Sequence, residues 1–271
     1  MRVRYSFSSR RTGTTDPSNQ HGKAIPKLIK EVIDISDIIM EVIDSRFVEE
    51  TRNKEIEKLI LEKGKKIIYV INKSDLIDKK IEFNLAPVVY VSCKDRRGIR
   101  ELRERICIEA SRIKNREKVN VGIIGYPNTG KSSLINVLTG RASARTAKEA
   151  GFTKGMQKIR LKKGIIILDT PGLIREDEDS ATKRKDLAKH GKIGVRTADR
   201  VKDPEFIVHE LVKQYPGIFE KFYGIDAGGN SEILIEKLGR KKNILKKGNL
   251  VDADRTARII LRDWQDGKIK V

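Results

Sequence analysis

The chain has 271 residues, 38% of them hydrophobic, and a net charge of +20 from 58 Lys and Arg against 38 Asp and Glu. That length holds one α/β domain of ~150–170 residues and a smaller second one, and the apolar content is too high for a disordered chain. No apolar run reaches the ~18 residues of a spanning helix and no apolar signal core opens the chain, so a cytoplasmic protein without membrane contact is expected.

The chain opens with a basic arm, residues 1–23, that lacks apolar periodicity. Residues 1–30 hold seven Lys or Arg against Asp16, and residues 141–163 hold eight against Glu149. Cations clustered without matching acids gain counterion-release free energy on a phosphate backbone, so both stretches are expected to meet RNA. From Pro26 to Ile35 the spacing of Leu28, Ile29, Val32 and Ile33 predicts a helix, and Ile38 to Ile43 reads as a buried strand. The alternation continues with a helix over Glu55–Glu62, strands over Lys65–Ile71 and Val88–Ser92, and a helix over Gly98–Ile113. Strands then follow over Val119–Gly125 and Ile165–Asp169, with Gly155–Leu161 pairing beside the latter. Such alternation predicts a doubly wound, mostly parallel sheet over residues 24–180.

After about Arg175 the strand signals stop. Asp203-Pro204-Glu205 is a helix start, and Ser231 and Asp252 are further candidate caps, the last opening a helix that ends near Gly267. An all-α C-terminal domain over 181–271, suited to RNA, is therefore expected. Cys93 and Cys107 have no ligand-like spacing and read as ordinary thiols. His190 and His209 fall in the helical region and read as structural or solvated.

Gly125-Tyr126-Pro127-Asn128-Thr129-Gly130-Lys131-Ser132 fits G-x-x-x-x-G-K-[ST] between a strand and a helix that begins at Ser133. The glycines let backbone N–H groups of the loop face phosphates, Lys131 reaches β- and γ-oxygens, and the Ser132 hydroxyl suits Mg²⁺. Asn72-Lys73-Ser74-Asp75 follows an apolar strand. The Asp75 carboxylate can accept two hydrogen bonds from guanine, whereas adenine leaves it unpaired. Lys73 is expected to lie along the base and Asn72 to tie this loop to the phosphate loop. Ser92-Cys93-Lys94 matches a loop that touches the guanine oxygen. Asp169-Thr170-Pro171-Gly172 ends a strand, with Asp169 placed for Mg²⁺ and the Gly172 N–H for the γ-phosphate. Thr153, preceded by Gly151 and followed by a strand, is favoured over Thr139 and Thr146 to complete the Mg²⁺ shell.

In ordinary small GTPases the phosphate loop comes first and the guanine motif fourth. Here residues 72–75 and 92–94 precede the phosphate loop, Thr153 and Asp169. From His21 to Lys270 the chain resembles the circularly permuted GTPases, and among them the ribosome-biogenesis group typified by bacterial YlqF and eukaryotic Lsg1 and Nog2. Asp44-Ser45-Arg46 stands where that group carries Asp-Ala-Arg. Gly248 to Gly267, with Asp252, Arg255, Leu261, Asp263 and Trp264, is similar to its helical ending.

The resemblance implies a circularly permuted P-loop GTPase domain followed by a small helical domain. It implies GTP and GDP as ligands, Mg²⁺ as cofactor, slow hydrolysis, and a monomer that binds the large ribosomal subunit precursor and its rRNA. Leu173 stands where many GTPases place the glutamine that positions water. Asn128 matches the position that holds K⁺ in K⁺-activated relatives, and His21-Gly22-Lys23-Ala24 resembles a segment whose histidine assists hydrolysis. Two competing readings are an RNA-binding structural factor that keeps GTP as a ligand and a GTPase acting on another RNA.

Overall fold

A computed structural model describes residues 27–78, 85–114, 116–140, 157–169, 191–194 and 197–271. Helix α1 (Lys27–Ile35) leads into β1 (Ile38–Asp44), and the short α2 (Val48–Thr51) and α3 (Lys54–Glu62) lead into β2 (Lys66–Asn72). Then come β3 (Val88–Tyr90), α4 (Ile99–Ser111), β4 (Val119–Ile124), α5 (Lys131–Thr139), β5 (Gln157–Lys162) and β6 (Ile165–Asp169). Six strands form one sheet in the order β3-β2-β1-β4-β6-β5. All neighbours are parallel except the β5–β6 hairpin. Every residue of β1 is buried, as a central strand covered on both faces requires. Ile38, Met40 and Val42 pack with α4 and α5, while Ile39 and Ile43 pack with α1 and α3.

One carboxyl interrupts that apolar pattern. Glu41 is 1% exposed; its Oε1 accepts from Asn53 N at 2.9 Å and its Oε2 has no partner. Nearby, Glu57 accepts from Arg52 Nε at 2.9 Å and Nη2 at 2.8 Å and from the Tyr69 hydroxyl at 3.2 Å. Burial first, and then the charge of Glu57, push the Glu41 carboxyl up to about 8.

Beyond the sheet lie α6 (Pro204–Gln214), α7 (Ile218–Tyr223), α8 (Ser231–Lys241) and α9 (Ala253–Gln265). Asp203 caps α6 by accepting from Phe206 N at 3.1 Å, and Asp252 caps α9 by accepting from Arg255 N at 3.1 Å. The Ser231 cap needs correction. Asn230 caps α8, accepting from Glu232 N at 2.8 Å and Ile233 N at 3.2 Å, while Ser231 is the first helical residue and its hydroxyl meets His209 Nδ1 at 3.1 Å. The region is also not purely helical: Leu245–Lys246 (β7) and Leu250–Val251 (β8) pair as a two-residue hairpin, too short to leave a periodic signal. Trp264, fully buried, stacks with Phe47, Tyr215 and Phe219. Phe47 and Tyr126, from the strand-bearing half, thus join the core of the helices.

Candidate nucleotide site

The loops after β1, β2, β3 and β4 converge at the C-terminal ends of the parallel strands, where open α/β sheets take their ligands. The loop from β4 to α5 turns sharply because two of its residues are glycine. Gly125 has φ +146°, and a Cβ there would lie 2.4 Å from Val42 O. Gly130 has φ +94°, and its Cβ would lie 2.2 Å from Asn72 Nδ2. That proximity exists because Asn72 Nδ2 donates to Thr129 O at 2.8 Å. Thr129 Oγ1 in turn donates to Tyr126 O at 2.9 Å. Lys131, 5% exposed, directs Nζ to Gly125 O at 2.7 Å and to Tyr126 O. Pro127, Asn128, Gly130, Lys131, Ser132 and Ser133 line a cavity of about 640 Å³.

A second cavity of about 770 Å³ is lined by Asn72, Lys73, Asp75, Cys93 and Lys94. Lys73, Gly130, Ser133 and Asp266 border both, so the two spaces adjoin as a base half and a phosphate half would. Lys73 takes a left-handed backbone, φ 61° and ψ 33°, at the start of the 3₁₀ turn that holds Asp75. Ser92 Oγ donates to Asp75 Oδ1 at 2.7 Å and accepts from Asp95 N at 3.0 Å. Cys93 Sγ approaches Asn72 Oδ1 at 3.4 Å, and burial pushes its thiol up to about 11, so it is no reactive nucleophile.

Asn128 Nδ2 donates to Gly194 O, from the segment leading into the helices. The backbone of Asp169 ends β6 beside β4, pairing with Gln157 across the hairpin. His21, Thr153 and Gly172 lie outside the described residues, as does the Asp169 side chain. The sequence motifs do not include Asp266 and Gly267, which wall the larger of these two cavities, or Gln265 and Thr197, which wall the smaller. No local signal marks them, since their role comes from the docking of α9. Among the described residues no group of three or more His, Cys, Asp or Glu could hold a metal, and no helix is long and apolar enough to cross a membrane.

A mostly parallel sheet with the G-x-x-x-x-G-K-S loop after β4 and the N-K-x-D tetrapeptide after the earlier β2 has the order of a circularly permuted P-loop GTPase fold. A family model described as 50S ribosome-binding GTPase matches residues 120–215. The chain is 40% identical over 252 residues to an uncharacterized GTP-binding protein of Methanocaldococcus jannaschii, covering 90% of this chain and 66% of that one. It is 32% identical over 263 residues to nucleolar GTP-binding protein 2 of Neurospora crassa, covering 91% and 41%. It is 30% identical over 287 residues to the nuclear GTP-binding protein NUG1 of Saccharomyces cerevisiae, covering 91% and 55%. The chain thus spans less than two thirds of these relatives' own lengths. In fold it is similar to GNP-bound YlqF from T. maritima, with TM-score 0.62 and 24% identity over 89% of this chain and 93% of that one. Residues 120–215 thus match a GTPase family model, the chain is similar over about nine tenths of its length to nucleolar and nuclear GTP-binding proteins, and its fold is that of a circularly permuted GTPase like YlqF.

Proposed function

We propose that the chain binds and slowly hydrolyses GTP and acts as a nucleotide-switched assembly factor on the large ribosomal subunit, docking on its rRNA as a monomer. The observation that carries the nucleotide part is the Asn72–Thr129 hydrogen bond of 2.8 Å. It ties the loop bearing Asp75 to the loop bearing Lys131, so that one ligand spans both cavities. Asp75 would read guanine, Ser92, Cys93 and Lys94 would close around the base, and Lys131 with the N–H groups of residues 127–133 would hold the phosphates.

The residues present fit Mg²⁺ bound through a hydroxyl and phosphates: Ser132 stands at the start of α5 in the phosphate half. Asp169 and Thr153 are its proposed further ligands, and the ion would supply charge neutralisation at the transferred phosphoryl group. K⁺ is proposed at Asn128, Gly172 as the sensor of the γ-phosphate, and His21 as an aid to hydrolysis.

The ribosomal part rests on the charge of residues 1–30 and 141–163 and on the family description. The compartment follows the particle: the cytoplasm in a cell without a nucleus, whereas the fungal relatives are named nucleolar or nuclear. GTP turnover measured in K⁺ and in Na⁺, with and without large-subunit particles, tests the whole reading. Turnover should be slow alone, faster in K⁺ and faster again with particles. GTP binding without turnover in any condition would leave the structural RNA-binding reading instead.

A further inference from the structure

Asp44-Ser45-Arg46 stands out in the sequence by resemblance alone, and the nucleotide site assigns it no task. The segment leaves the C-terminal end of β1 beside the base-reading loop. Ser45 N donates to Asn72 O at 2.9 Å and Ser45 Oγ donates to Lys73 O at 2.8 Å. Arg46 and Asp44 pair in a dry environment, their side chains 1% and 2% exposed. Asp44 Oδ1 accepts from Arg46 N and Nε, both at 3.1 Å, and Oδ2 accepts from Arg46 Nη2 at 3.0 Å. Lys73 Nζ reaches the same Oδ2 at 2.7 Å. One buried carboxylate therefore orients both a guanidinium and the ammonium that borders the base and phosphate halves of the site.

The other edge of the guanidinium points into the last helix. Arg46 Nη1 donates to Trp264 O at 2.9 Å, in the final turn of α9. The same carbonyl also accepts from Gly267 N at 3.1 Å, and the helix dipole at this end favours a cation. The guanidinium also lies 5.0 Å from the Phe47 ring centroid and 5.1 Å from that of Trp264. Just past α9 the chain returns to the base-reading loop. A Cβ on Gly267 would lie 2.9 Å from Leu76 Cδ1, Val271 N donates to Leu76 O at 2.9 Å, and Asp78 N donates to Val271 O at 3.2 Å. Only a planar fork serves Asp44 and Trp264 O together; a lysine reaches one of them.

We propose that Asp44 and Arg46 are positioning residues for guanine recognition, holding Lys73 along the base and coupling its placement to the seating of α9. The proposal rests on the guanine-site reading above. By linkage, whatever the seating of α9 contributes to guanine affinity, bound guanine nucleotide returns to the seating of α9.

The test is a double-mutant cycle in the full chain, read as GDP affinity by calorimetric titration. Asp44→Asn, isosteric and checked for folding by circular dichroism, should weaken GDP about tenfold in the wild-type background and have no effect in a Lys73→Ala background. Losses that multiply, or an unchanged affinity in folded Asp44→Asn, overturn the proposal. A second measurement needs no variant: hydrogen exchange at the amides of Gly267 and Val271 should slow when GDP binds the wild type. Unchanged exchange there overturns the coupling to α9. Arg46→Lys should abolish the GDP-dependent protection, and a full response in that variant counts against the fork. A wild type that binds GDP and ADP equally overturns the guanine-site reading, and the proposal with it.

Discussion

Ser92 Oγ donates to Asp75 Oδ1 at 2.7 Å, which leaves Oδ2 of Asp75 and the outer lone pairs of Oδ1 for a ligand. Asp75→Asn should move preference from guanine toward xanthine nucleotides, because an amide donor replaces the acceptor that faces the exocyclic amine. Ser92→Ala keeps the charge and frees the carboxylate to rotate. A hydrogen bond to a charged group contributes about 1.5–3 kcal/mol, so guanine-over-adenine selectivity should fall roughly tenfold or more. Competition among GDP, XDP and ADP checks both variants; undiminished guanine preference in Asp75→Asn would sink the assignment of this loop.

Lys131→Ala is expected to lose nucleotide binding, since no other cation is placed by the loop to span the β- and γ-phosphates. It also removes the donor to Gly125 O and Tyr126 O. Carbonyls left without a donor cost about 1–3 kcal/mol where water cannot replace it, so thermal unfolding without nucleotide should start earlier too. Wild-type GDP affinity in this variant would mean that phosphate binds elsewhere.

Gly130→Ala should be at least as damaging as Asn72→Ala, because it breaks the same tie and also places a side chain on a backbone with φ +94°. The added Cβ would sit 2.2 Å from Asn72 Nδ2, displacing the amide that binds Thr129 O. Combining the two should cost little more than the worse one alone, because both break a single tie. Fully additive losses in GDP affinity would show that the tie is not what joins the two loops.

The pH dependence of stability should carry the mark of Glu41. Its carboxyl is raised from an ordinary 4.5 to about 8 in the fold. The folded chain therefore holds a proton the unfolded chain releases, and the associated stability is full below 4.5 and lost as pH rises through about 8. Glu41→Gln should flatten that decline. Asp44 has the opposite sign. Burial opposes its ionisation, but Arg46 and Lys73 outweigh burial and hold the carboxyl below its ordinary 3.8. Its contribution is present above 3.8 and disappears as acid titrates the folded group. Urea unfolding from about pH 5 to about pH 9 compares wild type with Glu41→Gln; parallel curves would refute the Glu41 assignment.

Much of the fold was legible because the informative signals are local. The apolar runs around Ile38, Ile67 and Val121 become the central strands, and the Gly125–Ser132 spacing forms a phosphate loop through its own backbone. Cap choice at Asn230 against Ser231 was not legible, since two adjacent residues carry equal capping chemistry and only φ and ψ decide. Glu41 carries no signal of its own in the Ile38–Ile43 run, since its neighbours Asn53 and Glu57 come from another element. Arg46 and Trp264 meet across a separation of 218 residues. No pattern in either segment announces the other, so the α9 wall of the site stayed hidden. The proposed roles of His21, Thr153 and Gly172 rest on sequence alone.

The permuted strand order also sets a timetable for birth. A ribosome making this chain releases the base-reading loop at Asn72–Asp75 first, the phosphate loop at Gly125–Ser132 later, and the wall at Asp266 and Gly267 last. Until β4 emerges, β1 has its β2 neighbour but an open edge on the other side, a state that nascent chains tolerate poorly. On the proposed reading of the site, its α9 wall closes only when Gly267 has left the tunnel, so guanine affinity would report that the chain has been translated that far. Ribosome-stalled chains of increasing length, titrated with labelled GDP, should gain tight binding only once residue 267 is free of the exit tunnel.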